Sequence, residues 1–191
     1  MRIIAGQYRS RPLRAFSGAD TRPTADRLRE TLFNVLTAGS LGLLEDSIWL
    51  DIFAGTGAVG LEALSRGARQ VYFIDSSKAA VSLIRENLHA LEIVQGFEVI
   101  QRDAVQALRL LDSKGIVADV CYLDPPYRMK EAYEETLDFL SQSRILTAES
   151  LIIAEHDKHF DPGAQFGTLE RYRLLRQGDA SLSFYRQGRM T

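Results

Sequence analysis

The sequence has very little of what disulfides and metal centres are made from. Its 191 residues include one cysteine and three histidines. The single cysteine, Cys121, excludes an internal disulfide, and the histidines are too scattered along the chain to predict a metal site. We therefore expect a protein without a metal, in a reducing, cytoplasmic compartment.

Long hydrophobic runs are absent as well. No apolar run approaches the ~18 residues that a membrane-spanning helix needs. The first 16 residues contain no apolar segment of the secretory type. These absences predict no membrane partner and no export. With 46% hydrophobic and 25% charged residues, the composition is typical of a globular protein, and the length predicts a single-domain monomer with a short N-terminal extension.

Positive charge is concentrated at one end of the chain. Residues 1–30 contain seven arginines and three acidic residues, a balance of +4, whereas the rest of the chain has a balance of −6. A basic segment on an acidic body is typical of polyanion binding. The alternative is that these arginines lie on an ordinary solvated surface. We predict a basic hairpin arm over residues 1–20 and a main domain over residues 21–191.

Hydrophobic periodicity predicts a chain in which strands and helices alternate. Short runs of β type are separated by longer amphipathic segments, which indicates βαβ units and a parallel sheet covered on both faces. The predicted strands are 48–54, 71–76, 97–103, 117–126 and 150–156, and the predicted helices between them are 58–66, 78–91, 104–111 and 131–140.

The two ends of the chain depart from this alternation. Residues 171–187 predict two strands joined by a turn at 177–180, so the sheet should end in an antiparallel hairpin. Before the first strand, residues 22–36 carry apolar side chains at helical spacing, and Thr24 is a candidate N-cap. Trp49, in the first strand, is expected in the core.

A glycine-rich segment, DIFAGTGAVG, follows directly from the first strand. Gly55 and Gly57 allow a ligand to approach the backbone closely at the carboxyl edge of the sheet. The hexapeptide GTGAVG alone fits a dinucleotide enzyme equally well. Asp51 favours another ligand, because a carboxylate would repel a pyrophosphate and attract a cationic group. S-adenosylmethionine, which carries an amino group and a sulfonium, is such a ligand.

Two further acidic residues are predicted at the ends of the next strands. Asp75 lies 20 residues after Gly55, where a carboxylate can bind both hydroxyls of a ribose. Asp103, just before Ala104, is placed to accept from an adenine amino group. The alternative for both is capping of the helix that follows.

The tetrapeptide DPPY, residues 124–127, ends the fourth strand. It could be a turn that terminates the strand, since proline cannot continue a ladder. A more specific interpretation is that the Asp124 side chain and the Pro125 carbonyl accept both hydrogens of one amino group. Tyr127 would then offer its ring to a flipped-out base.

These motifs together resemble the Rossmann-like S-adenosylmethionine-dependent methyltransferases that act on exocyclic amines of nucleic-acid bases. The closer similarity is to the bacterial 16S rRNA (guanine(966)-N2)-methyltransferases. It extends over most of the chain, including TRPTADRLRETLFNVL (21–36), LDIFAGTGAVGLEALSRGA (50–68), YLDPPY (122–127) and the IIAEH of the fifth strand. The family usually has Glu at the end of strand two, where this chain has Asp75.

The resemblance implies a mostly parallel, seven-stranded sheet and methyl transfer from S-adenosylmethionine to the N2 amine of a guanine in 16S rRNA or an assembling small ribosomal subunit. It implies the site residues as follows. The cofactor would be bound by Asp51, Phe53, Gly55, Gly57, Asp75, Ser76, Asp103 and Ala104; the base by Asp124, Pro125, Pro126 and Tyr127; and the RNA by Arg9, Arg11, Arg14, Arg22, Thr24, Arg27 and Arg29.

The same residues leave other functions as alternatives. An NAD-dependent oxidoreductase would leave Asp51 and the DPPY motif unexplained. A non-catalytic RNA-binding assembly factor would need the basic arm but no intact DPPY. Transfer to adenine in DNA, or to a glutamine amide in a protein, uses a similar motif, and the arm with its TRPT segment favours rRNA over both.

Overall fold

The computed structural model describes residues 1–16, 23–37, 44–126 and 128–188. Five helices and eight strands occur in these ranges. They are α1 (Pro23–Thr37), β1 (Ile48–Ile52), α2 (Ala58–Ser65), β2 (Gln70–Asp75), α3 (Lys78–Ala90), β3 (Phe97–Gln101), α4 (Ala104–Ser113), β4 (Val120–Leu123), α5 (Glu131–Gln142), β5 (Leu151–Asp157), β6 (Gln165–Phe166), β7 (Leu169–Gln177) and β8 (Ala180–Gln187).

The strands form one mixed sheet in the order β3-β2-β1-β4-β5-β8-β7-β6. Strands β1 to β5 pair in parallel, and β8, β7 and β6 pair antiparallel. The predicted fold class and the C-terminal hairpin are therefore confirmed. The predicted number of seven strands is wrong, because the described part of the chain has eight. The additional strand is Gln165–Phe166, which folds back onto β7 around Gly167. The chain order reverses between β1 and β4, and a ligand site is expected at that point.

Three strands end at least two residues earlier than the sequence predicts, and one of them, β3, stops at Gln101, whereas the prediction ran to 103. β1 stops at Ile52 because Phe53 has a φ of 63°, which no strand residue adopts. β4 covers only Val120–Leu123, whereas the prediction ran from 117 to 126. Before it, the Asp119 carboxylate accepts from the Ile48 N–H at 2.7 Å, and after it the two prolines have no N–H to give to a ladder.

Alternating side chains of the central strands pack into two layers, one on each face of the sheet. Trp49 and Phe73 face α1, α2 and α3, whereas Leu50 and Ile74 face α4 and α5. The predicted core position of Trp49 is confirmed: it is fully buried and stacks on Phe33, with ring centroids 5.4 Å apart. The loops at the carboxyl edge of this doubly covered sheet build the site.

The N-terminal arm folds back on itself without forming regular strands. It has one antiparallel bridge, between Arg2 and Pro12, and Ile3 donates to the Arg11 carbonyl at 3.0 Å. The predicted hairpin is therefore present as an antiparallel pairing without strands of regular length. Ser10, at a φ of 67°, lies in the turn and donates to the Ile3 carbonyl at 2.9 Å.

The arm is anchored on α2. The Glu62 carboxylate accepts from the backbone N–H groups of Ile4 and Ala5, at 2.8 and 3.0 Å. Gly6 lies so close to α2 that a Cβ at this position would be 1.8 Å from the Ser65 carbonyl oxygen. The arm is therefore packed onto the domain as a fixed part of it.

Helix α1 begins at Pro23, so Thr24 lies inside the first turn and the N-cap prediction is wrong. Proline is favoured at that first position because its missing N–H would have no partner there. Arg22 lies outside the described residues. Over the described ranges, no helix combines the length and the apolar character that crossing a membrane would require.

Candidate active site

A cavity of about 430 Å³ opens at the carboxyl edge of the sheet, beside the point where the chain order reverses. Its volume is within the ~300–1,000 Å³ typical of small-molecule sites. We call it the first cavity. It is lined by Phe53, Gly55, Ile74, Asp75, Ser76, Ser77, Arg102, Asp103, Ala104, Asp124, Pro125, Pro126 and Met129. Nine of these residues were predicted from the sequence, and they come from four separate strand ends.

Asp75 holds the glycine-rich loop in place. Its Oδ2 accepts from the Gly55 N–H at 2.9 Å, and its Oδ1 accepts from the Ser77 N–H at 2.8 Å. Each carboxylate oxygen has a second lone pair that remains free to accept another hydrogen bond. Asp75 can therefore shape the loop and bind a diol at the same time.

Asp103 and Ser77 cap the helices behind the first cavity. The Asp103 side chain accepts from the Val105 N–H at 3.1 Å and is the N-cap of α4. The N-cap of α3 is Ser77, whose hydroxyl accepts from Ala80 at 3.4 Å. The capping alternative is thus correct for Asp103, which also lines the first cavity. It is wrong for Asp75, because Ser77 is the N-cap of α3.

Asp51 and Gly57 do not reach the first cavity. Asp51 is only 2% exposed and accepts from the Gly60 N–H of α2 at 2.9 Å. Burial raises the pKa of Asp51 to about 7, the Gly60 hydrogen bond lowers it, and the charge of Asp75 raises it. Gly57 caps α2 with a φ of 76° and faces the side chains of the core.

A second cavity of about 270 Å³ adjoins the first on the side covered by α1 and the arm. Phe53, Gly55 and Asp124 line both cavities. The other residues of its lining are Met1, Phe16, Arg29, Asp51, Ala54, Thr56, Ala58, Val59, Tyr122 and Glu155. Asp124 therefore stands between a larger cavity and a smaller one.

Asp124 and Glu155 form a half-buried pair of carboxyl groups. Leu123 pairs with Ala154 in the β4–β5 ladder, so the residues that follow them lie side by side. Burial and the neighbouring charges of Glu155 and Asp51 raise the pKa of Asp124 well above its usual range. Burial also raises the pKa of Glu155, against a lowering by the Tyr122 hydroxyl, which donates to Glu155 Oε2. Ionising both carboxyl groups at once is energetically costly, and hydrogen-bond donors from a ligand would lower that cost.

The rest of the DPPY motif forms a tight turn. The Met129 N–H donates to the Pro126 carbonyl at 2.7 Å, which closes the turn before α5. Tyr127 lies outside the described residues, so its predicted stacking role stays a prediction.

The predicted RNA-binding arginines fall into three groups. Arg29 is buried, and its Nη2 donates to the Arg2 carbonyl at 2.6 Å, so it ties α1 to the arm. Arg11 donates to the Ala90 carbonyl at 2.6 Å, and Arg14 pairs with Glu86 at 2.8 Å, both on α3.

Arg9 and Arg27 form the third group. They line one surface depression beside Asp26 and Glu30, and among the described residues neither forms an ion pair. These two are therefore the arginines with guanidinium groups available to a polyanion. The side chain of Thr24 lies outside the described part.

Sequence reasoning missed several residues of the two cavities. Arg102 and Met129 flank predicted residues, and nothing in the pattern singled them out. Glu155 carried the same signal as Asp75 and Asp103, an acidic residue at the carboxyl end of a strand, and that signal could have identified it. In the sequence Tyr122 has the pattern of an ordinary core residue. Only the structure shows that its hydroxyl donates to Glu155.

Known proteins similar to this chain include a protein family and individual methyltransferases. The family model described as Conserved hypothetical protein 95 matches residues 1–186. A Haemophilus influenzae protein named Ribosomal RNA small subunit methyltransferase D is 34% identical over 187 residues, which cover 97% of this chain and 92% of that protein.

Solved structures agree with the sequence relatives. Escherichia coli yhhF has a TM-score of 0.79 at 34% identity, over 98% of this chain and 97% of that chain. SMU.776, solved in complex with SAH, has a TM-score of 0.66 at 16% identity, over 85% of this chain and 49% of that chain, and shows the fold alone. The resemblance stated from the motifs is confirmed. The chain belongs to the Conserved hypothetical protein 95 family, as a relative of the protein named Ribosomal RNA small subunit methyltransferase D.

Proposed function

We propose that this protein transfers a methyl group from S-adenosylmethionine to the exocyclic N2 amine of a guanine in 16S rRNA, at the position (966) that the family resemblance implies. The observation that carries the proposal is the place of Asp124 and its prolines. Asp124 lines both the first cavity and the smaller second cavity, and Pro125 and Pro126 line the first. The name of the Haemophilus influenzae relative supports rRNA as the substrate.

The residues of the first cavity fit this cofactor. Asp75 has lone pairs left for the ribose hydroxyls, and Gly55 presents backbone without a side chain. Asp103 faces the same space and can accept from the adenine amine. The sulfonium of the cofactor supplies an activated methyl group, and Asp124 at the far wall marks where the acceptor amine would meet it.

Asp124 and the Pro125 carbonyl would accept both hydrogens of the guanine amine. Two such hydrogen bonds orient the nitrogen lone pair toward the first cavity. As the amine gains positive charge in the transition state, a carboxylate in a partly dry site stabilises it strongly. The raised pKa of Asp124 also makes it a suitable acceptor for the proton that the amine then loses.

An NAD-dependent reaction has less support. The glycine loop would suit either ligand, and Asp51 no longer separates the two because it lies outside the first cavity. The proline turn does separate them, since Asp124, Pro125 and Pro126 line the cavity and would have no part in hydride transfer.

The direct test is nucleoside analysis of the product. We expect the protein to transfer labelled methyl from S-adenosylmethionine to 16S rRNA or a small-subunit particle, and mass spectrometry to identify N2-methylguanosine. Asp124→Ala should lower turnover by about 10²–10³-fold, while calorimetry with S-adenosylhomocysteine should show nearly unchanged binding. Methylation of another nucleoside, or full activity of the variant, would overturn the proposal.

A further inference from the structure

Glu155 is a half-buried carboxylate that has no role in the proposed chemistry. Its backbone is fixed, since the Tyr133 hydroxyl donates to the Glu155 carbonyl at 2.7 Å. Its side chain is fixed at one oxygen, Oε2, by the Tyr122 hydroxyl. Within the described residues no donor reaches the second oxygen, Oε1, and no cation pairs with the group.

A ligand in the second cavity could donate a hydrogen bond to Oε1, because Glu155 lines that cavity. Glu155 and Asp124 line it together, and they lie side by side directly after Ala154 and Leu123, the last paired residues of the β4–β5 ladder. Burying a carboxylate costs free energy unless hydrogen-bond donors reach it. A ligand that completes this site must therefore bring donors to two adjacent acceptors.

Among the bases with an exocyclic amine, one has that pattern. On its Watson–Crick edge guanine places the N1–H beside the N2 amine, so donors stand next to each other. Adenine and cytosine place a ring nitrogen with a lone pair beside the amine, and a carboxylate would repel it. Reading a flipped base by its Watson–Crick edge is common in enzymes that modify bases.

We propose that Glu155 is a specificity-determining residue that accepts the N1–H of the target guanine through Oε1, while Asp124 holds the adjacent N2 amine. Tyr122 is a positioning residue, because its hydroxyl occupies Oε2 and turns Oε1 toward the cavity. The inference rests on the proposed function, since it assigns the base that the same site accepts.

The probe is an RNA in which the target guanine is replaced by 2-aminopurine. This base keeps the exocyclic 2-amine that accepts the methyl group, but its N1 carries a lone pair in place of the hydrogen. The wild-type protein should methylate guanine about 10- to 150-fold faster than 2-aminopurine in single-turnover reactions, the factor that a hydrogen bond to a charged group supplies.

In Glu155→Gln this preference should nearly vanish. The Tyr122 hydroxyl can donate to the amide oxygen, which leaves the amide NH₂ facing N1, where it favours a lone pair. The guanine rate should fall, and the 2-aminopurine rate should stay equal or rise. Glu149→Gln is the matched control, because Glu149 is exposed just before β5, at the opposite edge of the sheet, and should keep the full preference.

The possible outcomes distinguish a failure of the proposed function from a failure of the role assigned to Glu155. Absence of methyl transfer to guanine RNA by the wild type would overturn the proposed function. Transfer to guanine without preference over 2-aminopurine, or a full preference retained in Glu155→Gln, would overturn the inference alone. If Glu155→Gln does not fold, Tyr122→Phe decides: it should keep cofactor binding and lose part of the preference, and a full preference would refute the role of Glu155.

Discussion

The buried Asp51 should make the stability of this protein fall as the pH rises from about 4 to about 7. In the folded protein burial raises the pKa of Asp51 to about 7, from an ordinary value of 3.8. Between these two values the folded state holds a proton that the unfolded state has released. Stability is therefore highest below the unfolded pKa and declines as the pH rises through the folded pKa.

The size of the effect follows from the shift. A difference of about three pKa units corresponds to about 4 kcal/mol at about 1.4 kcal/mol per unit. Asp51→Asn removes the charge, and its amide oxygen can still accept from the Gly60 N–H. The unfolding free energy of the variant relative to the wild type should therefore increase by about 4 kcal/mol between pH 4 and pH 8.

Urea unfolding followed by circular dichroism, at one-unit pH steps and constant ionic strength, measures this difference. The other carboxyls are present in both proteins, so the comparison reports Asp51 together with its effect on Asp124, whose pKa the charge of Asp51 raises. Glu149→Gln, at an exposed position, should track the wild type throughout. Parallel profiles for Asp51→Asn and wild type would refute the reasoning, since Asp51 would then ionise in the folded state as easily as in water.

Three further predictions concern the cofactor, the RNA and the arm. Asp75→Ala should weaken S-adenosylmethionine binding by about 1.5–3 kcal/mol; an unchanged Kd in calorimetry would contradict this. Replacing Arg9 and Arg27 together by Ala should lower the slope of log affinity for a 16S fragment against log salt by about 0.7–0.9 per lost phosphate contact, whereas Arg14→Ala, already paired on α3, should leave it nearly unchanged. Gly6→Ala should lower the urea midpoint, because its φ of +83° and the tight contact with α2 leave no room for a methyl group; an unaltered midpoint would mean that the arm is not packed there.

Local patterns predicted most of the fold. The alternation of short apolar runs with amphipathic segments is a property of residues close in sequence. It placed all nine strands and helices from β1 to β5 at nearly their observed positions, with β4 shortened. The errors arose where a boundary depends on a distant partner. At the start of the strand predicted over 117–126, the Asp119 carboxylate accepts from the N–H of Ile48 in β1, a contact between distant segments that the local pattern does not contain.

The site was predicted in part for the same reason. Gly55, Asp75, Asp103 and Asp124 lie at strand ends, and parallel strands bring their carboxyl ends to one edge of a sheet whatever the side chains are. Asp51 differs because it lies within β1, opposite Phe73, where α2 covers it. The motif shows that Asp51 is charged. The direction in which its side chain points depends on the packing of α2, which the motif does not contain.

By itself the sequence determined the alternating fold, the glycine loop and the proline turn, because each depends on the conformational preferences of adjacent residues. Only the tertiary structure decided which of these residues meet. The pairing of β4 with β5 brings Glu155 beside Asp124, although 30 residues separate them in the chain. The packing of the arm on α2 likewise decided that Arg29 is buried while Arg9 stays exposed. Contacts between distant segments depend on the summed packing of whole elements, and no local pattern encodes that sum.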